Sequence, residues 1–204
     1  MTVYRDGMHV RPIGTSALRI EVDDPLAWFA FLDGERRARR LAVVDIIPGA
    51  RTVLLDGVTN PGAATALIRA ASPPAAPSVE TAPVTLHVHF DGEDLPFVAD
   101  HAGTTVDTVI RTLTDTDLTV AFCGFAPGFA YLTGLPWTVP RLPSPRPRVP
   151  VGSVALAAEY AGIYPSASPG GWRLVGRTGT TLFDVDRDPP ALLTPGRTVR
   201  FTAA

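Results

Sequence analysis

Short strand patterns separated by glycine and proline fill the chain after residue 117, and they constrain its fold more than any other feature. The predicted strands are Leu118–Phe122, Gly152–Ala157, Trp172–Gly176, Thr180–Val185 and Thr198–Thr202. No helix pattern interrupts them. Many short strands with this punctuation are typical of a closed β-barrel or a β-sandwich.

The first third of the chain alternates strand and helix patterns instead. Its predicted strands are Ser16–Val22, Leu41–Ile47 and Thr52–Leu55. Its two predicted helices begin at Pro25 and Pro61, each directly after an N-cap residue, Asp24 and Asn60. The resulting βαββα order indicates a small α+β unit of the split-βαβ kind.

A proline-rich segment, Ser72–Pro83, separates the two regions. It contains four prolines and few side chains to bury, which is typical of a linker. We therefore predict an α+β domain at 1–75, a linker at 76–83 and a β-barrel domain at 84–204. Within the barrel domain, Thr104-x-x-Asp107 has the capping-box pattern and predicts the start of a helix.

The charged residues exclude several classes of function. All 18 basic side chains are arginine, and the absence of lysine excludes phosphate-binding and Schiff-base sites that depend on one. A net charge of -2 gives no general attraction to nucleic acid or to an anionic membrane. A single cysteine, Cys123, excludes an internal disulfide and a zinc site built from cysteines.

One segment, Leu118–Pro140, carries no charge over 23 residues and is long enough to span a bilayer. It also contains six glycines and prolines, which would interrupt a helix and leave backbone groups that lipid does not satisfy. We therefore expect no membrane segment. The first ten residues have no apolar secretory core, so the expected location is the cytoplasm.

The glycine- and aromatic-rich segment Gly124–Pro136 is the densest candidate for a site. Its glycines and prolines let the backbone run close to other groups, and Phe125, Phe129 and Tyr131 supply flat apolar walls. This composition suits a loop that lines a ligand pocket, and it equally suits a loop whose rings fill the barrel.

Polar candidates follow this loop. Arg146 and Arg148 lie in an extended segment, where they form either a clamp for a carboxylate or phosphate or part of a solvated arm. Glu159 follows an apolar strand and is either a general base or metal ligand, or an exposed strand end.

The dipeptide Gly170-Gly171 either presents backbone amides to an oxygen anion beside Trp172 or forms a hairpin turn. The strand residues His87 and His89 share a face but have no third ligand nearby in the sequence. No metal site is therefore predicted.

Four blocks of the second domain resemble those of the allophanate hydrolase subunit 1 family, which includes the B subunit of 5-oxoprolinase and a bacterial sporulation-kinase inhibitor. In chain order, the blocks are GFAPGFAYLTGLP, PRPRVPVGSVALAAEYAGIYP, SPGGWRLVGRT and FDVDRDPPALLTPGRTVRF. They span Phe122–Phe201, whereas the first 80 residues match more loosely.

The resemblance implies a ferredoxin-like α+β domain followed by a cyclophilin-like β-barrel. It also implies a complex with a second cyclophilin-like protein, of the kind called allophanate hydrolase subunit 2 or the C subunit of 5-oxoprolinase, and with a TIM-barrel-like A subunit. Such an assembly would open 5-oxoproline to glutamate with ATP and Mg²⁺, and would be inactive without its partners. The alternatives are a module that inhibits a histidine kinase and a subunit of an allophanate- or urea-degrading hydrolase.

On this resemblance, the arginines are candidate clamps for a phosphoryl group, and the carboxylate is a candidate base or metal ligand. These polar candidates are Arg146, Arg148, Arg177 and Glu159. The implied pocket residues are Phe125, Pro127, Gly128, Phe129, Tyr131, Tyr164, Gly170, Gly171 and Trp172. Tyr160-Ala161 stands where the family usually has Gln-Thr, which implies a different ligand or binding mode if those side chains touch the ligand.

Overall fold

The computed structural model describes residues 3–5, 8–73 and 82–204. The chain divides into two compact units, Met1–Ser78 and Val79–Ala204. The predicted linker, residues 76–83, lies outside the described residues except for its last two positions.

An antiparallel sheet with two helices forms the first unit. The strands are β1 (Val3–Arg5), β2 (Met8–Ile13), β3 (Ala17–Glu21), β4 (Asp45–Pro48) and β5 (Thr52–Asp56), and the helices are α1 (Pro25–Arg37) and α2 (Pro61–Ala70). The sheet order is β1-β2-β3-β5-β4. From β3 onward the elements follow the predicted βαββα order. One of the two strands that pair with β3 is β2, which precedes the predicted unit in the chain. The predicted strand at 41–47 is wrong at its start, because β4 begins only at residue 45.

Both helices of the first unit begin where their caps predict. The Asp24 carboxylate accepts a hydrogen bond from the Ala27 N–H at 2.9 Å, and Asn60 Oδ1 accepts one from the Ala63 N–H at 3.0 Å. Each bond satisfies a backbone donor that the first helical turn leaves unpaired. Alternate residues of β3 and β5 face the helices. The resulting core includes Leu18, Ile20, Leu32, Val53, Leu55 and Ile68.

A larger curled sheet forms the second unit. Its strands are β6 (Val84–Val88), β7 (Leu118–Cys123), β8 (Ala130–Thr133), β9 (Arg146–Val149), β10 (Ser153–Ala157), β11 (Tyr160–Ile163), β12 (Ser168–Gly170), β13 (Arg173–Arg177) and β14 (Thr198–Ala203). Two helices, α3 (Leu95–His101) and α4 (Val106–Asp115), precede β7. Seven strands form one sheet in the order β13-β10-β11-β8-β7-β14-β6, and β9 pairs separately with β12.

The seven-stranded sheet curls until its two edge strands meet. His89, next to β6, and Arg177, on β13, exchange backbone hydrogen bonds of 2.9 Å in both directions. This bridge nearly closes a β-barrel, as the short-strand pattern predicts. Apolar side chains fill the interior, and α3 and α4 pack against it.

The strand β10 is buried on both of its faces, and this gives the barrel a second, outer cluster. Val154 and Leu156 point into the barrel core, whereas Ala155 and Ala157 belong to a cluster that includes Phe129. Because successive strand residues point to opposite faces, small alanines on the outer face leave room there for large rings.

Three local predictions in the second unit are corrected. The cap of α4 is Thr105, whose Oγ1 accepts from the Thr108 N–H, and not Thr104. The predicted strand Thr180–Val185 contributes only an isolated bridge at Phe183, because it pairs with no neighbouring strand. The arginine-containing segment is a paired strand, β9, and not a free polyproline-like arm. No helix among the described residues is long and apolar enough to cross a membrane.

Candidate functional site

A small pocket of about 120 Å³ lies beside the outer cluster of the second unit. Its lining residues are Phe125, Phe129, Tyr131, Arg141, Tyr164, Pro169, Gly170, Gly171 and Trp172. Seven of these nine are among the pocket residues predicted from the sequence; Arg141 and Pro169 are not. The structure thus brings together the aromatic loop, the tyrosine after β11 and the Gly-Gly segment, which are far apart in the chain.

Aromatic rings hold the pocket wall through edge-to-face contacts. The ring of Phe129 lies 5.4 Å from that of Trp172 and 5.5 Å from that of Tyr164, and both pairs are nearly perpendicular. Such pairs add about 0.5–1.5 kcal/mol each beyond the area they bury. These rings rest on Gly162, where a Cβ would lie only 2.9 Å from Phe129 Cζ and 3.0 Å from Trp172 Cζ3. The wall therefore depends on a glycine at this position of β11.

The hydroxyl of Tyr164 lies deep in the pocket, against Gly170. Burial raises the pKa of Tyr164, and a hydrogen bond from the Trp172 backbone and the nearby charge of Arg141 only partly oppose this. The phenol therefore stays protonated at neutral pH and keeps a proton to donate. A Cβ at Gly170 would overlap the Tyr164 hydroxyl, so this glycine is required for a close approach and not for a hairpin turn.

Arg141 is the cation at the pocket, and the sequence reasoning missed it. Its guanidinium carbon lies 5.9 Å from the centre of the Trp172 ring, within range of a cation–π interaction. The side chain is exposed and forms no ion pair with any described residue. The sequence signal was weak, because a single arginine after Val139-Pro140 resembles any surface residue.

Arg146 also lies next to the pocket, but three of its five N–H donors are already used. Its Nε donates to Glu93 Oε1 at 2.7 Å, its Nη2 to Asp94 Oδ2 at 2.8 Å and its Nη1 to the Trp172 carbonyl at 3.2 Å. This arginine therefore braces the pocket wall, and two carboxylates already balance its charge.

The carboxylate of Asp94 organises this brace. It also accepts a 2.7 Å bond from the Leu174 N–H and lies 3.4 Å from Arg173 Nη1. The side chains of Asp94 and Arg173 are only 9% and 12% exposed. Asp94 is the N-cap residue of α3, but its side chain forms no cap hydrogen bond. Its role was therefore not visible in the sequence.

The other two predicted arginines lie outside the pocket. Arg148 is exposed on β9, and its side chain has no hydrogen bond or ion pair with the described residues. Arg177 pairs with Asp91 at 2.8 Å, and the nearby guanidinium lowers the pKa of that carboxyl. Arg177 is five residues along the chain from Trp172, roughly 16 Å of extended strand, so the structure does not bring it to the pocket.

Glu159 lies in the exposed turn between β10 and β11 and is not a lining residue. The pKa of Tyr160 is raised by burial and by the neighbouring Glu159 carboxylate, which shares a hydrogen bond with the phenol. Tyr131 lies between this pair and the pocket, 5.6 Å from the rings of both Tyr160 and Trp172.

The dipeptide Tyr160-Ala161 does not reach the pocket directly. Ala161 is fully buried in the barrel core, opposite Leu132 of β8. Tyr160 packs its ring against Phe122 and Tyr131. Tyr160 and Ala161 therefore add no side chain to the lining of the pocket.

Two residues of the aromatic loop also lie away from the pocket. Pro127 is exposed, and Gly128 lies against Phe183. Phe125 does line the pocket, with a left-handed backbone (φ 72°) and a side chain that is 64% exposed. A phenylalanine in this conformation is strained by about 1–2 kcal/mol. The loop therefore holds an exposed ring at the pocket entrance at some cost in stability.

Carboxylates and metal ligands do not gather at this site. Among the described residues, no group of three or more His, Cys, Asp and Glu side chains could hold a metal ion. None of the described lining residues carries a carboxylate. Cys123 is not a nucleophile here, because burial raises its pKa to about 11.

A larger hollow, of about 540 Å³, lies on the sheet of the first unit. Its arginines are already paired: Arg19 with Glu21 at 2.7 Å and Arg51 with Asp23 at 3.2 Å. The pocket of the second unit is the better candidate, because it combines apolar walls with an unpaired cation.

Comparison with known proteins adds to this geometry. A family model described as the carboxyltransferase domain, subdomain C and D, matches residues 8–193. The B subunit of 5-oxoprolinase from Escherichia coli O157:H7 is 36% identical over 207 residues, a match that covers 93% of both chains.

Solved structures share the fold. The crystal structure of TTHA0988 has a TM-score of 0.77 and 32% identity; the match covers 96% of this chain but only 40% of that one. The Kluyveromyces lactis urea amidolyase has a TM-score of 0.72 at 20% identity, over 97% of this chain and 15% of that one. At this identity the second likeness shows the fold alone.

Proposed function

The chain belongs to the carboxyltransferase subdomain C and D family, together with the B subunit of 5-oxoprolinase, and from this premise we propose that it is one subunit of an ATP-dependent 5-oxoprolinase. The resemblance identified in the sequence blocks is thereby confirmed. The observation that carries the proposal is the match to a B subunit of 5-oxoprolinase along nearly the full length of both chains. In the proposal, the assembly works in the cytoplasm.

The proposed reaction converts 5-oxoproline, ATP and water to glutamate, ADP and phosphate. An unstrained lactam is a poor electrophile, so water does not open it readily. Transfer of the γ-phosphoryl group to the amide oxygen activates the ring carbon, and water then adds to that carbon. The ring nitrogen takes up a proton and the C–N bond breaks, which leaves an acyl phosphate, and a second water molecule then releases phosphate and glutamate. Such a transfer needs cations to stabilise the phosphoryl group, and a Mg²⁺ ion.

The lining of the pocket supports a need for partners. Its described residues contain one cation and no carboxylate, so they do not provide a general base or the ligands of a Mg²⁺ ion. In the proposal, a TIM-barrel-like A subunit and a second cyclophilin-like protein supply these groups. This chain contributes its own cyclophilin-like barrel and the pocket. The relative's name, which makes it one subunit of an enzyme, and the greater length of TTHA0988 are consistent with such an assembly.

The exposed residues of this chain have separate proposed roles. Arg148 is unpaired among the described residues and can reach a phosphoryl group held by a partner, and the exposed Glu159 can face a partner in the same way. The βαββα unit, with its sheet completed by β2, serves as a ferredoxin-like domain for assembly.

The test is to co-purify the chain with the candidate partner subunits and to measure ADP release with and without 5-oxoproline. We expect the lactam to stimulate ADP release by the complex and not by the isolated chain. If an intact complex shows no stimulation, or if the isolated chain catalyses the reaction alone, the proposal is wrong.

A further inference from the structure

We infer that the pocket of the second unit binds the lactam substrate, with its carboxylate on Arg141, and that the nucleotide binds elsewhere in the assembly. This inference rests on the proposed function, because the lactam is taken from it. It assigns to Arg141 a role in substrate recognition.

The size of the pocket favours a small ligand over a nucleotide. Its volume is about 120 Å³. Pockets for drug-sized ligands, the size class of a nucleotide, measure about 300–1,000 Å³. A five-membered ring with one carboxylate is small enough for this space, whereas ATP with its magnesium ion is not.

The charges around the pocket select Arg141 over its neighbours. Arg146 and Arg173 both contact the carboxylate of Asp94, and Arg146 also binds Glu93. Arg141 has no carboxylate partner among the described residues and lies at the pocket lining. A guanidinium offers parallel N–H donors that match the two oxygens of a carboxylate. An anion that enters the pocket can therefore bind the guanidinium of Arg141.

The remaining walls suit the rest of the ligand. The rings of Phe129 and Trp172 offer apolar surfaces for the methylene groups of the lactam ring. The Tyr164 hydroxyl, which packs against Gly170, is one neutral donor of the lining that can serve the lactam carbonyl. The pocket thus has one cation, neutral donors and apolar sides, a set that matches a small cyclic amide with a carboxylate.

The experiment is a binding titration of the full chain without partners, in which tryptophan fluorescence or calorimetry detects binding. The probes are 5-oxoproline, 2-pyrrolidinone, which has the same ring without the carboxylate, and ATP with Mg²⁺. We expect 5-oxoproline to bind about tenfold or more tightly than 2-pyrrolidinone, because only the former makes a charge-assisted bond. We expect no competition between ATP and 5-oxoproline.

Two substitutions localise the binding. Arg141→Gln should weaken 5-oxoproline binding about tenfold or more and remove the preference over 2-pyrrolidinone. Arg141 is exposed and has no ion-pair partner among the described residues, so the variant should fold normally. Arg111→Gln is the matched control and should bind like the wild type, because the side chain of this exposed arginine on α4 bonds only to Thr108 among the described residues.

Several results would overturn the inference: no binding of 5-oxoproline by the isolated chain, equal binding of the two ring compounds, competition by ATP, or normal binding by Arg141→Gln. The proposed function fails in a different assay. Lactam-stimulated ADP release by a complex in which this chain does not bind 5-oxoproline would sustain the proposed function and remove only the inference.

Discussion

Arg146 Nη2 lies 2.8 Å from Asp94 Oδ2, and this ion pair ties the wall of the pocket to the start of α3. The same carboxylate binds the Leu174 N–H, and the same guanidinium binds the Trp172 carbonyl. Both charged side chains are mostly shielded from water. The position of Trp172 therefore depends on an acid 78 residues earlier in the chain, which itself does not line the pocket.

We expect Asp94→Ala to lower the free energy of unfolding by about 3–5 kcal/mol, because it removes the one carboxylate that contacts two largely buried guanidinium groups, those of Arg146 and Arg173. Urea unfolding of the isolated chain measures this. The control is Asp117→Ala, which breaks an ion pair with Arg200 whose side chains are both about half exposed. Its cost should be about 0–1 kcal/mol. Equal costs for the two variants would show that the brace contributes no special stability.

The paired glycines at 170 and 171 provide a second comparison. Gly170→Ala should displace the Tyr164 ring and cost about 1–3 kcal/mol, because the new Cβ overlaps the phenol hydroxyl. At Gly171 the nearest atoms would lie 3.8 Å away, an ordinary contact, so Gly171→Ala should be tolerated. Thermal unfolding of both variants, with a crystal structure of the first, checks this. An undisturbed Tyr164 in Gly170→Ala would contradict it.

The two arginines of β9 should respond differently to substitution. Arg148→Ala removes an exposed side chain that is unpaired among the described residues, so the free energy of unfolding should change by less than about 0.5 kcal/mol. Its effect should be confined to lactam-stimulated ADP release by the complex, which we expect to be lost. Arg146→Ala should destabilise the isolated chain, because it leaves Asp94 without one of its partners.

Urea unfolding compares the stability of the Arg148→Ala and Arg146→Ala variants, and ADP release is measured on complexes of verified composition. A folded Arg148→Ala variant that supports full activity would remove this residue from the proposed phosphoryl site.

Cys123 should make the protein less stable at high pH. Burial raises the pKa of its thiol from 9.0 to about 11, so between these values the unfolded chain loses the proton and the folded chain keeps it. The folded state then binds more protons, and the free energy of unfolding falls as pH rises through this window. Below pH 9.0 both states keep the thiol proton, so the stability that is lost at higher pH is still fully present there.

Urea unfolding at about pH 8 and about pH 10 tests this, with Cys123→Ala as the comparison. The variant should lose less stability between the two pH values. The pKa values of Tyr160 and Tyr164 are also raised and act in the same direction, but they are common to both proteins. An identical loss in the variant would mean that the thiol does not contribute.

Local patterns predicted the elements of this chain well where the forces are local. The helices at Pro25 and Pro61 begin at their predicted caps, because Asp24 and Asn60 satisfy backbone donors only three residues away. The prediction of a strand at 180–185 was wrong, because strand formation depends on residues that are distant in the chain. Only a partner strand can satisfy the backbone groups of a strand, and among the described residues this segment forms only the isolated bridge at Phe183.

The candidate site divides in the same way. Its aromatic and glycine residues were recognisable in the sequence, because rings and glycines in a short loop are a property of composition. The roles of the four polar residues that the sequence suggested, Arg146, Arg148, Glu159 and Arg177, were not recognisable. Arg141, Arg146 and Arg148 lie within eight residues of one another and share a chemistry, yet one lines the pocket, one is braced and one is exposed on β9.

The sequence by itself determined the helix starts of the first unit, most strands, the family and the aromatic wall, since these depend on neighbouring residues or on recurring blocks of residues. Only the tertiary structure decided which arginine remains available to a ligand. That depends on where Asp94 lies, 52 residues from Arg146 and 80 from Leu174. A carboxylate neutralises the guanidinium it can touch, and contact between such distant residues is set by the closure of the barrel.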